Sequence, residues 1–318
     1  MKYIGITLIA SLLVMAAQAQ EIKTYRLVNN TGMEAIVSNY GTRLMSLTAS
    51  NRNGRLQPVV KGYKDIKAYL HEPALGATLI CNDGALKTTL AEKTWDVVSA
   101  DEQSVTFRYS SFEDEKGFEG KMNFSVTYTL SDQNALDIHY QVTSTVATHY
   151  TLTNGIVFNI GGNPARSILK QHLWIDSYKT NLFNEDMQLT GEQNYIRRTP
   201  LNFIQPREIG ERINGLKSGY RHAFQLRHPG NVQKPAAIIF DAQSGRAMTV
   251  YTYEPTLKID TYGKKSKGIS FQPLHKGYDE DKEEINATVE PGQVFHTVTV
   301  FIFTTEVPVM MEQGTAVK

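Results

Sequence analysis

Apolar and polar residues alternate along much of this chain, a pattern typical of half-buried β-strands. The clearest runs are Ser104–Tyr109 and Asn123–Leu130. Turn-forming residues 131–134 join the second run to Ala135–Val142, so we predict a hairpin there. Three further strands are predicted later in the chain, at Ala236–Phe240, Ala247–Tyr253 and Val294–Phe303.

Helical periodicity is scarce by comparison. The sequence offers short helical turns only at Lys64–Leu70 and Pro206–Asn214, and neither a flexible linker nor a fixed-period repeat divides the chain. Many short strands without regular strand–helix alternation favour an all-β fold, a large antiparallel β-sandwich, over a parallel α/β sheet. We expect residues 20–318 to form one such domain.

The beginning of the chain has the pattern of a secretory signal peptide. Lys2 precedes the apolar run Tyr3–Ala16, and Ala17-Gln18-Ala19 is a small-x-small cleavage site. The run is shorter than the roughly 20 apolar residues of a membrane-spanning helix. We therefore predict that residues 1–19 are removed and that the mature chain is periplasmic or secreted; the alternatives are a buried strand or an uncleaved anchor.

Composition and charge exclude several classes of function. The formal net charge is +1, which argues against a nucleic-acid or anionic-membrane partner. Cys81 is the single cysteine, so no internal disulfide can form. The acidic run Asp279–Glu284 lacks the spacing of a calcium loop, and no zinc spacing, phosphate loop or Ser/His/Asp motif is present. We expect no metal site and no cofactor.

Several short motifs, in order, resemble the aldose 1-epimerase (galactose mutarotase) family. The stretches that carry the resemblance are Asn39-Tyr40-Gly41, Gly76-Ala77-Thr78, Gly117-Phe118-Glu119-Gly120, Leu152-Thr153-Asn154, Thr199-Pro200-Leu201-Asn202-Phe203 and Tyr253-Glu254-Pro255. Together the resemblance covers roughly residues 39–303. It implies a galactose mutarotase-like supersandwich that binds a sugar on a concave sheet face.

The resemblance also implies a chemistry that this chain does not match. The family opens the sugar ring with a glutamate base and a histidine acid, each worth typically ~10²- to 10⁴-fold in rate. Here the base position holds Gln272, a neutral amide, and the acid position after Leu-Thr-Asn holds Gly155. Arg221 replaces a sugar-holding aspartate, and the segment that follows Gly76-Ala77-Thr78 in the family, with its arginine and second histidine, is missing.

These departures lead to one main hypothesis and two alternatives. The main hypothesis is a carbohydrate-binding protein that has lost its proton-transfer pair, with a sugar or oligosaccharide bound by Asn154, Arg221, His222, Gln272 and His275. The first alternative is an active aldose 1-epimerase using a non-standard pair, His275 with Asp83 or Glu254. The second is hydrolysis or lysis of a polysaccharide on the same scaffold.

Arg221 further suggests which glycan is bound. A guanidinium pairs well with carboxylates, and loss of the missing segment should widen one end of the cleft, so we expect an acidic or larger glycan. The competing interpretation is that Arg221 pairs with a carboxylate of the protein itself, Asp260 or Glu254.

Overall fold

The computed structural model describes residues 21–82, 84–113, 115–118, 120–278, 283–285, 288–309 and 311. The predicted signal peptide, Asp83 and residues 279–282 of the acidic run lie outside them. Short 3-10 helical turns lie at Ile66–His71, Thr89–Glu92 and Ile213–Gly215. The first confirms the turn predicted at 64–70. The turn predicted at 206–214 is mostly wrong, because Arg207 and Glu208 pair in a sheet and only the last residues are helical.

The described residues otherwise form strands and turns. The strands of the first half are β1 Thr24–Val28, β2 Glu34–Ser38, β3 Arg43–Ser50, β4 Leu56–Pro58, β5 Thr78–Asn82, β6 Ala85–Lys87, β7 Asp96–Ala100, β8 Ser104–Ser110, β9 Met122–Leu130, β10 Ala135–Ser144, β11 Tyr150–Asn154 and β12 Val157–Phe158. Those of the second half are β13 His172–Ile175, β14 Ser177–Phe183, β15 Leu189–Tyr195, β16 Arg207–Glu208, β17 Arg221–Leu226, β18 Ala237–Asp241, β19 Arg246–Thr252, β20 Thr256–Asp260, β21 Ile269–Leu274, β22 Gly277–Tyr278, β23 Glu284–Ile285 and β24 Phe295–Thr304.

Two large antiparallel sheets carry the fold. One has nine strands in the order β16-β13-β18-β19-β24-β10-β9-β8-β7, and the other has six in the order β12-β21-β20-β17-β14-β15. Smaller sheets are formed by β1-β2-β3-β4, β11-β5-β6 and β22-β23. The hairpin predicted around residues 131–134 is confirmed as β9 and β10, paired from Leu130↔Leu136 to Met122↔Ser144.

The main core lies between the two large sheets. Alternation along β9 buries Phe124, Val126 and Tyr128 on one side, as the sequence pattern requires. Phe158 of the six-stranded sheet has its ring centroid 6.2 Å from that of Phe271 and 4.7 Å from that of Phe301 in the nine-stranded sheet. These contacts tie the sheets face to face, which confirms the predicted all-β sandwich.

The six-stranded sheet has a second face, directed away from this core. Along β20, Leu257 and Ile259 enter the core, so Thr256, Lys258 and Asp260 project to the other side. We call that side, which carries Arg221, Lys258 and Gln272, the site face.

Candidate functional site

Strand register arranges the polar residues of the site face in rows. Ala223, Lys258 and Gln272 are direct cross-strand partners on β17, β20 and β21. Arg221, Asp260 and Ser270 form the next row on the same face. Side chains of facing residues in such rows start about 5 Å apart, so the members of each row can interact.

Gln272, which the resemblance assigns to the family's base position, is held by the backbone. Its Nε2 donates to the carbonyl of Asn154 at 3.3 Å, and 5% of the residue is exposed. Asn154 is itself fully buried, since its Nδ2 donates to the Phe271 carbonyl and its Oδ1 accepts from the Ile156 N–H. The structure thus brings these two predicted site residues together, but Asn154 serves to join β11 to β21.

Gly155, at the family's acid position, has no room for a side chain. A Cβ there would lie 1.8 Å from the carbonyl oxygen of Ala74. The backbone of Gly155 is also hydrogen-bonded on both sides, from its N–H to the Ala77 carbonyl and from the Gly76 N–H to its own carbonyl, each at 2.8 Å. Residues 74–77 therefore fill the space that a side chain at position 155 would need.

Arg221 is paired with a carboxylate of the protein. Its Nε donates to Asp260 Oδ2 at 2.7 Å, although 56% of the side chain is exposed. Arg221 therefore forms the ion pair with a carboxylate of the protein, Asp260, which was the competing interpretation to a glycan carboxylate.

His222 does not join the other predicted residues. It pairs with Ile259, whose side chain is in the core, so His222 projects from the opposite side of β17 to Arg221. Its Nδ1 accepts from the Arg221 backbone N–H at 3.0 Å, and burial lowers the pKa of the imidazole below 6.5. His222 and Arg221 therefore do not share a face, because neighbouring residues of a strand face opposite sides, and the predicted sugar contact of His222 stays a prediction.

His275 and Glu254 do form a pair, as the active-epimerase alternative requires. His275 Nδ1 lies 2.8 Å from Glu254 Oε2, with 2% of Glu254 exposed. The imidazole packs edge-on against Phe295, with ring centroids 4.5 Å apart. The pair lies beyond the end of β21, several residues from Gln272, and its other proposed partner, Asp83, lies outside the described residues.

Lys258 is the site-face residue that the sequence argument missed. Only 6% of it is exposed, and burial lowers the pKa of its ammonium group below 10.5. Its Nζ lies 5.5 Å from the centroid of the Phe183 ring, and no hydrogen-bond or ion-pair partner is found for it among the described residues. The alternation of Thr256, Lys258 and Asp260 with Leu257 and Ile259 was the signal that could have identified it.

The β5–β6 hairpin covers the middle of the site face. Cys81 and Leu86 pack on Ala223 and Leu274. At the hairpin tip, a Cβ on Gly84 would lie 2.9 Å from Leu189 Cγ. The short connection after Thr78 therefore folds as a hairpin onto the middle of the site face, and the expected widening of one end of the cleft stays a prediction.

An open cavity remains at the β12 edge of the site face. It measures about 520 Å³, and its lining includes Lys61, Glu72, Ala74, Val157, Tyr262 and Lys265. We call it the Tyr262 cavity. Val157 is the cross-strand partner of Ser270, which places the cavity next to the Arg221–Asp260 row.

Polar groups of the Tyr262 cavity form a compact cluster. Glu72 accepts from Lys61 Nζ at 2.6 Å and from the Tyr63 hydroxyl at 2.5 Å. Burial acts to raise the pKa of Glu72, but these two hydrogen bonds outweigh it and the pKa lies below 4.5. Tyr262 is 55% exposed. The cavity thus offers a fixed carboxylate, ammonium groups and an accessible aromatic ring.

Neither a metal cluster nor a membrane helix is present in the part of the chain described by the structure. No three His, Cys, Asp or Glu side chains converge there in a way that could hold a metal ion. No helix formed by those residues is long and apolar enough to cross a membrane.

Comparison with known sequences agrees with the resemblance. The family model for aldose 1-epimerase matches residues 80–301. Human galactose mutarotase is 25% identical over 279 residues, which cover 76% of this chain and 80% of the human protein. Aldose 1-epimerase of Escherichia coli K12 is 24% identical over 279 residues, with 77% and 80% covered.

Solved structures show the same fold. An aldose epimerase homologue from C. elegans superposes with a TM-score of 0.76 at 17% identity, covering 89% of this chain and 99% of its own. Galactose 1-epimerase from Lactobacillus acidophilus gives a TM-score of 0.70 at 18% identity, covering 89% and 98%. Since the family model spans well over half of the sequence and the architecture agrees, the chain belongs to the aldose 1-epimerase family.

Proposed function

We propose that this protein binds a carbohydrate on the site face and does not catalyse mutarotation. The observation that carries the proposal is the Ala74 carbonyl, which occupies the place of an acid side chain at Gly155. Gln272 adds to it, since its amide cannot take a proton from an anomeric hydroxyl and its Nε2 already donates to Asn154. The positions that the resemblance assigns to the two proton-transfer groups thus offer neither a base nor an acid, which supports the proposal.

A polarimetric assay tests the catalytic part of this proposal. Purified mature chain is added to fresh α-D-glucose or α-D-galactose, with an active aldose 1-epimerase as the positive control. Loss of both groups should remove a factor of at least ~10⁴, so the expected rate equals that of buffer. An optical rotation that decays faster in proportion to protein concentration would overturn the proposal.

We place the carbohydrate in the Tyr262 cavity and expect an acidic glycan. Lys61, Lys265 and Lys267 line it with Glu72, so its lining carries a net positive charge. Arg221, exposed beyond its bond to Asp260, stands on the neighbouring row. Charge-assisted hydrogen bonds to carboxylates are about twice as strong as neutral ones, which favours a uronate-bearing oligosaccharide.

The acidic preference can be measured with two matched ligands. Trigalacturonate and its methyl ester have the same skeleton and differ in charge, so calorimetry with both isolates the carboxylate. We expect tighter binding of the acid, and up to about fivefold weaker binding for each of Lys265→Gln and Lys267→Gln, since exposed ion pairs contribute about 0.2–1 kcal/mol. Equal affinity for acid and ester would contradict the preference, and Tyr262→Ala without effect would contradict the location.

The second candidate function is an active epimerase that uses His275 with Glu254. The 2.8 Å contact between the two side chains favours it, because a carboxylate that orients an imidazole is a common device in acid–base catalysis. If the polarimetric assay does detect turnover, His275→Ala should abolish it. Turnover that survives His275→Ala would exclude this pair as its source.

We further propose that the chain is exported after cleavage behind Ala19. The Ala17-Gln18-Ala19 site following the apolar run supports this. N-terminal sequencing of the protein from a periplasmic extract should give Gln20 as the first residue. A product that retains Met1 and is absent from the periplasmic extract would refute export.

A further inference from the structure

A second cavity lies on the site face, on the side of β14, β15 and β17. It measures about 380 Å³, and its lining includes Tyr178, Lys179, Gln193, Gln225, His228 and Tyr278. We call it the Tyr178 cavity. None of the family positions discussed above lines it, and none of its lining residues lines the Tyr262 cavity.

Tyr178 presents an aromatic ring that is held in place. The residue is 47% exposed, and the Arg227 guanidinium carbon lies 4.7 Å from its ring centroid. Arg227 Nη1 donates to the Tyr178 hydroxyl at 2.7 Å, while its Nε donates to Asp176 Oδ1 at 2.6 Å. Because Asp176 is 4% exposed, Arg227 ties the Tyr178 hydroxyl to a buried carboxylate.

His228 supplies a hydrogen-bond acceptor in a defined tautomer. Its Nδ1 lies 2.6 Å from Asp176 Oδ2. A carboxylate that already accepts from Arg227 accepts here as well, so the hydrogen of the neutral imidazole is on Nδ1. Nε2 then carries the lone pair, on a side chain that is 42% exposed.

The cavity also holds a second acceptor and a donor. Gln193 Nε2 donates to Asn181 Oδ1 at 2.8 Å, which leaves Gln193 Oε1 as an acceptor. The Lys179 ammonium lies 5.4 Å from the Tyr195 ring centroid and supplies donors. Because Asp176 balances the charge of Arg227, Lys179 is the main source of net charge in this cavity.

We infer that the Tyr178 cavity is a binding site for a single neutral pyranose unit. A sugar hydroxyl both donates and accepts, so it needs acceptors such as His228 Nε2 and Gln193 Oε1 as well as donors. The C–H face of a pyranose packs on an exposed aromatic ring, as ligands do in pockets that combine aromatic walls with a few polar groups. This site is separate from the Tyr262 cavity and would add a second contact for a longer glycan.

The test uses methyl β-D-galactopyranoside, whose locked anomeric centre prevents any ring opening. Saturation-transfer NMR and a titration with the mature wild-type chain measure its binding, with methyl β-D-glucuronide as the charged comparison. In the Tyr262→Ala chain, whose other cavity is impaired, we expect the neutral glycoside to bind at least as well as the glucuronide. Tyr178→Ala and His228→Ala should each weaken binding about fivefold or more, and Tyr178→Phe should largely retain it.

Two further variants assign the outcome. Tyr253→Ala removes a tyrosine of similar exposure, 44%, outside both cavities, and should change nothing. Tyr262→Ala should leave the binding of this glycoside intact. If Tyr262→Ala loses binding and Tyr178→Ala keeps it, this inference is wrong and the proposed function still stands. If the wild-type chain binds neither glycoside, this inference is wrong whether or not trigalacturonate binds at the Tyr262 cavity.

Discussion

Lys258 places an ammonium group in the middle of the site face with 6% of the residue exposed. Burial without a partner among the described residues makes the charged form unfavourable, so the pKa in the folded protein lies below 10.5. Replacement by an apolar residue of similar length should remove this penalty. Lys258→Met is therefore expected to stabilise the fold, by about 1 kcal/mol or more at neutral pH.

The pH dependence identifies the cause of that gain. Between the folded pKa and 10.5 the unfolded chain binds more protons than the folded one, so wild-type stability rises with pH in that window. The advantage of Lys258→Met should then be full at pH 7.5 and shrink towards pH 10.5 in urea denaturation. Lys234→Met, at an exposed lysine, serves as the control, and an advantage that does not depend on pH would contradict the explanation.

His222 should make the protein less stable as the pH falls. Its folded pKa is lowered by burial below 6.5, so the unfolded chain takes up the proton first on acidification and stability falls as the pH drops through that range. His222→Phe should lose less stability than wild type between pH 7 and pH 5, measured as the melting temperature. His139→Phe, at an exposed histidine, should behave as wild type. If His222→Phe loses as much stability as the wild type between pH 7 and pH 5, the assignment to His222 is wrong.

Lys258 and His222 show what the motifs indicate about the site and what strand geometry adds. The motifs assign Gln272, Gly155 and Arg221 to the site, which stays a prediction, and Asp260 does pair with Arg221 as one interpretation expected. The motifs also group His222 with Arg221, because the two are neighbours in the sequence. Successive side chains of a strand face opposite sides, so His222 is separated from Arg221, and the register of β17 with β20 puts Arg221 on the same face as Lys258.

The β5–β6 hairpin is the element that covers the middle of the site face. Its length could be read from the sequence, and so could the long alternating strands β9, β10 and β24. Its position could not, because the contact of Cys81 with Ala223 and Leu274 joins residues far apart in the chain. The shorter connection predicts a wider end of the cleft, and the sequence does not reveal that its apolar side chains cover the middle of the face.

Cys81 provides a direct measure of how firmly the hairpin is closed. The residue is 2% exposed, and burial raises the pKa of its thiol to about 11. Because the thiolate is the reactive form, we expect almost no labelling by Ellman's reagent in the native protein at pH 8. Gly84→Ala should accelerate labelling several-fold, since its φ is +97° and the new Cβ would meet Leu189.

Gly54→Ala is the matched control for this experiment. Gly54 also has a positive φ, +73°, but a Cβ there meets nothing within 4 Å. It therefore reproduces the backbone strain without the contact. Rapid labelling of the wild-type protein, or equal acceleration by both variants, would show that the hairpin does not seal the face.

At the scale of the whole molecule, two parts of the chain cover the site face. Residues 74–77 lie against Gly155, and the β5–β6 hairpin covers the centre, while Arg221 and Lys258 place positive charge on the sheet beneath. The sandwich itself was predictable from alternation and resemblance, since its core follows the period of two. The open cavities were not, because each is bounded by loops and strands that meet only in the folded chain.

Catalysis should therefore not return when the two proton-transfer residues are restored. Gln272→Glu alone places a carboxylate directly across from Lys258, where it can pair with the buried ammonium. We expect it to raise the melting temperature by roughly 2–4 °C, as about 1 kcal/mol does in a chain of this size, and to leave mutarotation at the buffer rate.

Gly155→His, alone or combined with Gln272→Glu, must displace the Ala74 carbonyl and should destabilise the fold by about 3 kcal/mol or more. Polarimetry and thermal unfolding on the same samples separate the two effects. A folded double variant with measurable mutarotation would show that a sugar can reach residues 155 and 272. The absence of activity in the wild-type chain would then be due to these two residues rather than to the hairpin and residues 74–77 that cover them.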